Sequence, residues 1–192
     1  MKKIYFNSPV VLWFVILCTI VLGLNYLSGG YTNVLFFEVY RSPVSLSFFI
    51  RLFGHVLGHV DFEHYANNMM FILLAGPMVE EKYGSRNLLK FIVITALVTG
   101  ICQIILFPNT ALLGASGVVF MMIMLASVVG AKDGIPLTMV LMIIVYLGTQ
   151  VVEGLLLDDG VSHITHIVGG IIGIIAGWNH RYNPKGENPN VL

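Results

Sequence analysis

A serine that could attack a carbonyl, and three polar side chains that converge on it, organise this sequence. Ser116 lies in Gly114-Ala115-Ser116-Gly117, at the head of an apolar run. Glycines beside a hydroxyl let a backbone come close to a substrate carbonyl. The first N–H groups of a helix have no intrahelical acceptor, so they can hold an oxyanion while the serine attacks. His64 and Asn68 stand four residues apart, which puts both on one helix face. His166 heads the pattern His166-x-x-Gly169-x-x-x-Gly173-x-x-x-Gly177, a seam of small residues along which two helix backbones can approach. If the neighbour is the helix that begins at Ser116, with Gly117, Ala126 and Gly130 among its small residues, His166 comes within reach of Ser116 Oγ.

The elements that must position these residues are membrane helices. The chain has 192 residues, 57% of them hydrophobic and 10% charged, with a mean hydropathy of +0.87. An ordinary soluble domain carries roughly 25% charged residues, so this composition indicates an all-α, polytopic membrane protein. Six runs approach the roughly 20 residues needed to cross a bilayer: 10–27, 64–79, 88–107, 116–131, 135–152 and 161–178. Together they make one domain over 1–182, with 183–192 expected as a disordered tail. The first run follows Lys2 and Lys3 but lacks an A-x-A cleavage site, so it is expected to remain as a helix. The longest connection, 28–63, is not plainly hydrophilic; its part 44–60 mixes Leu, Phe and Val with Arg51, His55 and His59, as a structured loop partly embedded at the interface would. The other connections carry breakers such as Tyr83-Gly84-Ser85, Pro108-Asn109 and Asp158-Asp159-Gly160. Cys18 and Cys102 fall inside apolar spans and read as inert buried thiols.

Charge sets the orientation. Lys2, Lys3, Lys82, Arg86, Lys90, Lys132, Arg181 and Lys185 fall on one side of this map, with Arg41 and Arg51 on the other. The positive-inside rule then places both termini in the cytoplasm. The second, fourth and sixth helices accordingly begin at the external face, and Ser116, His64, Asn68 and His166 all lie in the outer half of the membrane. Polar groups there are costly and usually face a bundle interior or a wet cavity. A helix starting only at Ser116 would span roughly 24 Å, less than the hydrocarbon thickness of about 30 Å, leaving a water-accessible pocket above its N-terminus.

At these residues the sequence resembles the rhomboid intramembrane serine proteases. The resemblance covers nearly the whole chain from Arg51 to Gly177 and rests on Gly-x-Ser-Gly at 114–117, His-x-x-x-Asn at 64–68 and His-x-x-Gly-x-x-x-Gly at 166–173. Arg51, His55 and His59 upstream, and Glu80-x-x-Tyr-Gly-Ser after the second helix, add to it. It implies a six-helix bundle in which Ser116 is the nucleophile and His166 the general base, then the general acid to the leaving amine. The Ser116 backbone N–H, His64 and Asn68 would hold the oxyanion. The pair looks like a dyad, because no acidic residue lies in the sixth helix or beside Ser116 in the fourth. Phe120, one turn below Ser116, is placed to pack on the imidazole.

The implied activity is hydrolysis of a peptide bond in or near a transmembrane segment of another membrane protein. The substrate would enter sideways from the lipid bilayer, past a gate formed by the fifth helix and residues 154–160, with Gly148, Gly154 and Gly160 allowing movement. No metal, other cofactor or nucleic-acid partner is implied, and the oligomeric state is left open. The chain departs from the family pattern at Ile50, where members often have Trp, and at Thr165, where they usually have Ala. His163 is the rival for the base, but His166, not His163, has glycine three residues on. Arg51 and Glu80 read as braces, His55 and His59 as supports of the first loop with a metal left possible by their spacing, and Gln103, Gln150 and Asn67 as interhelical hydrogen-bond partners. The alternative function is a catalytically silent relative that binds membrane segments; a transporter or metalloenzyme built on the histidines is disfavoured by the absence of His-Glu-x-x-His and of internal duplication.

Overall fold

The computed structural model describes residues 4–128, 134–156 and 163–180, and every regular segment among them is helical. Helix α1 spans Pro9–Leu27, α2 Leu46–Gly54, α3 Phe62–Tyr83, α4 Ser85–Leu106 and α5 Ser116–Val128. Helix α6 (Leu137–Met142), a π-helical turn (Ile143–Leu147) and α7 (Gly148–Leu156) run on as one 20-residue apolar stretch, and α8 spans His163–Asn179. The expected tail, Gly130, Gly160 and the cations Lys2, Lys3, Lys132, Arg181 and Lys185 lie outside the described residues.

Among the described residues, three segments are long and apolar enough to cross a membrane: Pro9–Leu27, Ser85–Leu106 and Leu137–Leu156. The protein is an integral membrane protein on that composition. The other expected runs are helical but differ in kind. α3 takes in Glu63 at one end and Glu80, Glu81 and Lys82 at the other, which dilutes its hydropathy, while the described parts of α5 and α8 have 13 and 17 residues.

Helix α5 is the axis of the packing. All nine residues from Gly117 to Leu125 are buried, as expected of a helix that is apolar on every side. α8 lies against it through the glycine seam. A Cβ on Gly169 would run into the Gly117 carbonyl oxygen, one on Gly173 into the Met121 carbonyl oxygen, and one on Gly177 would sit 2.9 Å from Val128 Cβ. The seam therefore differs from the expected one. On α5 the atoms nearest the three glycines belong to Gly117, Met121, Met124 and Val128, so beyond Gly117 bulky side chains stand where small residues were expected. Glycine on one helix suffices, because its bare backbone receives the bulkier ridge of the other.

The connection between α1 and α3 is structured, with α2 and a 3-10 turn at His55–Leu57. Arg51 is buried there, donates to Ser42 Oγ at 2.7 Å and lies 4.4 Å over the Tyr40 ring. Glu80 works at the other end of the molecule. Its two carboxylate oxygens accept the Val10 and Val11 N–H groups, each at 3.0 Å, and Ser85 Oγ donates to it at 2.7 Å. The Ser8 side chain does not cap α1, so a carboxylate from α3 satisfies those orphan donors and meets the positive end of the helix dipole.

Candidate active site

The loop between α4 and α5 decides where Ser116 sits, and the first loop holds that loop. Val39 and Leu112 exchange a pair of backbone hydrogen bonds, both 2.9 Å, and the Gly114 N–H donates to the His55 carbonyl at 2.9 Å. His55 is itself fixed, with Nδ1 3.1 Å from the Leu52 carbonyl and Nε2 3.2 Å from Thr99 Oγ1 of α4. Gln103 reaches back from α4 and donates to Thr110 Oγ1 at 2.9 Å. It thus ties down the loop following its own helix, where an interhelical bond was expected.

Gly114 is required twice over. Its φ of 130° lies in the region that favours glycine, and a Cβ there would come within 2.6 Å of His64 Cε1. His64 therefore rests directly on the Gly114 backbone. It sits in the first turn of α3, where the Asp61 side chain accepts its backbone N–H at 2.8 Å. His59 packs edge-on against the His64 ring at 5.2 Å and against Tyr65 at 5.6 Å.

Ser116 opens α5, and α8 brings His166 to it: Ser116 Oγ and His166 Nε2 are 2.7 Å apart. Phe120, one turn further along α5, stacks on the imidazole with ring centroids 4.6 Å apart and planes 6° from parallel. Tyr146 of the π-helical turn also packs against Phe120, its ring tilted and 5.1 Å away. The rival histidine, His163, lies edge-on to His166 at 6.3 Å, with its Nδ1 3.0 Å from Gln150 Oε1.

A cavity of about 360 Å³ opens beside Ser116. α3 contributes Asn67, Asn68 and Phe71, α5 contributes Val119 and Phe120, and the stretch from the π-helical turn into α7 contributes Tyr146 and Thr149. Asn68 is buried, and its Nδ2 has no hydrogen-bond acceptor among the described residues. A buried amide donor without a partner is costly. Here it borders the cavity that holds the serine. His64 is not among the cavity-lining residues; it abuts the site through Gly114.

Sequence reasoning missed how closely Gln150 is bound to this group. It does bridge two helices as expected, but to His166: Gln150 Oε1 is 2.6 Å from Nδ1 of that imidazole. A glutamine in an apolar helix 34 positions along from the serine gives little signal by itself.

The Rhomboid domain family model matches residues 47–183. Rhomboid-like protein 11, chloroplastic, of Arabidopsis thaliana is 24% identical over 135 residues, which is 62% of this chain and 48% of that protein. The chain thus spans about half the length of that curated relative. The family match begins in α2, continues past the end of α8 and takes in every helix that lines the cavity: the chain belongs to the rhomboid family.

Proposed function

We propose that this protein is an intramembrane serine protease that cleaves peptide bonds in or near transmembrane segments of other membrane proteins. The observation that carries the reading is the 2.7 Å contact between Ser116 Oγ and His166 Nε2 at the edge of a cavity bordered by a buried, unpartnered amide donor. Ser116 attacks the scissile carbonyl carbon as its proton passes to His166 Nε2. Asn68 Nδ2, the Ser116 backbone N–H and His64 stabilise the oxygen that becomes negative. Collapse of the tetrahedral adduct breaks the C–N bond, His166 gives the proton to the departing amine, and water then resolves the acyl-enzyme by the same route in reverse. The stacked Phe120 ring supports this cycle by holding the imidazole plane.

The apolar border of the cavity suits a substrate that arrives as a membrane segment and unwinds locally. Phe71 on α3 packs edge-on against Tyr146 of the π-helical turn at 6.5 Å, and this apolar margin of the cavity supports substrate entry between α3 and α6–α7. All six runs cross the bilayer in this reading, with the loop at 44–60 partly embedded, both termini cytoplasmic and the cavity open to the external side.

The test is labelling of the purified protein in lipid by a fluorescent fluorophosphonate, with cleavage of a transmembrane peptide followed alongside. Wild type and His163→Ala are expected to label, and Ser116→Ala and His166→Ala not to. A folded wild type that neither labels nor cleaves in lipid refutes the protease reading and favours a silent relative that binds membrane segments.

A further inference from the structure

Gln150 stands where neither motif nor composition placed a functional residue. It lies on α7 and is buried; its Oε1 is 2.6 Å from His166 Nδ1 and 3.0 Å from His163 Nδ1, and its Nε2 donates to Glu153 Oε2 at 3.0 Å. Resting on the reading that Ser116 and His166 act together, we propose that Gln150 is a positioning residue that, with its amide oriented by Glu153, holds His166 in the tautomer able to accept the serine proton.

A carboxylate only accepts, so the amide nitrogen of Gln150 must face Glu153 and the amide oxygen must face the histidines. That oxygen in turn only accepts, so Nδ1 of a neutral His166 must carry the ring proton. The Nε2 lone pair is then directed at the Ser116 hydroxyl, 2.7 Å away. With the amide reversed, Nδ1 would accept, Nε2 would carry the proton, and the imidazole could not take another from serine. When Nε2 does gain the serine proton, the Nδ1–H bond to Oε1 becomes charge-assisted and strengthens, so the contact favours the transition state over the ground state.

The placement of the groups explains why an amide occupies this position. A neutral acceptor is cheaper to bury in an apolar helix than a carboxylate. The carboxylate is kept one turn away at Glu153, whose side chain is 43% exposed. Gly154 completes the arrangement: a Cβ there would lie 3.1 Å from His163 Cβ, so its absence lets α7 come close to α8 at this turn. Among the described residues, His163 lies edge-on to His166, Glu153 Oε2 stands 3.8 Å from His163 Nδ1, and Tyr146 packs on the Phe120 ring that stacks on His166.

The experiment uses the full chain in lipid nanodiscs, with imidazole-15N histidine spectra beside steady-state cleavage of a transmembrane peptide across pH. His166 signals are assigned by their loss in His166→Ala. Wild type is expected to show His166 protonated at Nδ1, and Gln150→Leu to lose that preference, with kcat down about ten- to hundredfold and KM little changed. Gln150→Glu should restore most of kcat and move the acidic limb of its pH profile upward, because a carboxylate favours the imidazolium. Glu153→Gln, which frees the amide to turn, should fall between wild type and Gln150→Leu. An Nε2-protonated His166 in wild type, or a folded Gln150→Leu with the wild-type kcat and pH profile, overturns the proposal. If Gln150→Leu does not fold, an unmoved acidic limb in Gln150→Glu overturns it instead. An inactive wild type whose His166 is protonated at Nδ1 removes the protease reading and upholds the tautomer assignment.

Discussion

Replacing Gly169 by alanine should disable the site without touching any residue that does chemistry. Gly169 lies three residues after His166 on α8, and its bare Cα faces the Gly117 carbonyl oxygen, next to Ser116 on α5. The obstructing atom is backbone, so no rotamer change relieves the added methyl. An ordinary van der Waals contact begins near 3.4 Å, and reaching it requires α8 to move away from α5 by about 1 Å at this turn. The His166 to Ser116 separation of 2.7 Å would then open to about 3.7 Å, beyond hydrogen-bond reach. Overpacking of this kind costs about 1–3 kcal/mol of stability, and a misplacement of 1 Å at a reacting pair costs about a hundredfold in rate. The fluorophosphonate labelling rate in lipid measures the second effect, and thermal unfolding of the same sample the first. Gly23→Ala is the control, because its added methyl would meet nothing within 4 Å. A Gly169→Ala protein that labels as fast as wild type would refute the claim that backbone contact along the seam sets the Ser116 to His166 distance.

Three further outcomes follow from the same geometry. Asn68→Ala removes the unpartnered buried donor and should lower kcat by roughly 10²–10³-fold with little change in KM; an effect confined to KM would assign Asn68 to substrate binding instead. Phe120→Leu keeps an apolar side chain but loses the stack on His166, and should reduce kcat about three- to tenfold, read against the labelling rate. Glu80→Ala leaves the Val10 and Val11 N–H groups without their acceptor, and should cost about 2–4 kcal/mol of stability while folded protein at low temperature keeps its labelling rate.

Much of this protein is written in short-range patterns. Apolar runs with breakers between them define the helices, because membrane helices satisfy their own backbone and need only length and hydropathy. The residues at 114–117, 64–68 and 166–173 are legible because each is local: two or three side chains at helical spacing within one element. The ends of α3 were less legible, since the helix runs on through Glu80 to Tyr83, where hydropathy falls but a tertiary partner takes up the charge.

Tertiary structure decided what depends on residues far apart in the chain. The glycines of α8 could have faced any helix; packing set them on the Gly117 and Met121 carbonyls. Gly114 reads as a residue kept small for a substrate, yet its space is occupied by His64, 50 positions earlier. No acidic residue stands near Ser116 on α5 or His166 on α8 to act as a third partner, and the group that the structure brings to His166 Nδ1 is of another kind. It is an amide on another helix, and the hydrogen-bonding direction of an amide is fixed only by what stands on both sides of it. A sequence specifies which groups are present and the local periodicity that aligns them; which nitrogen faces which oxygen follows only once three helices have packed.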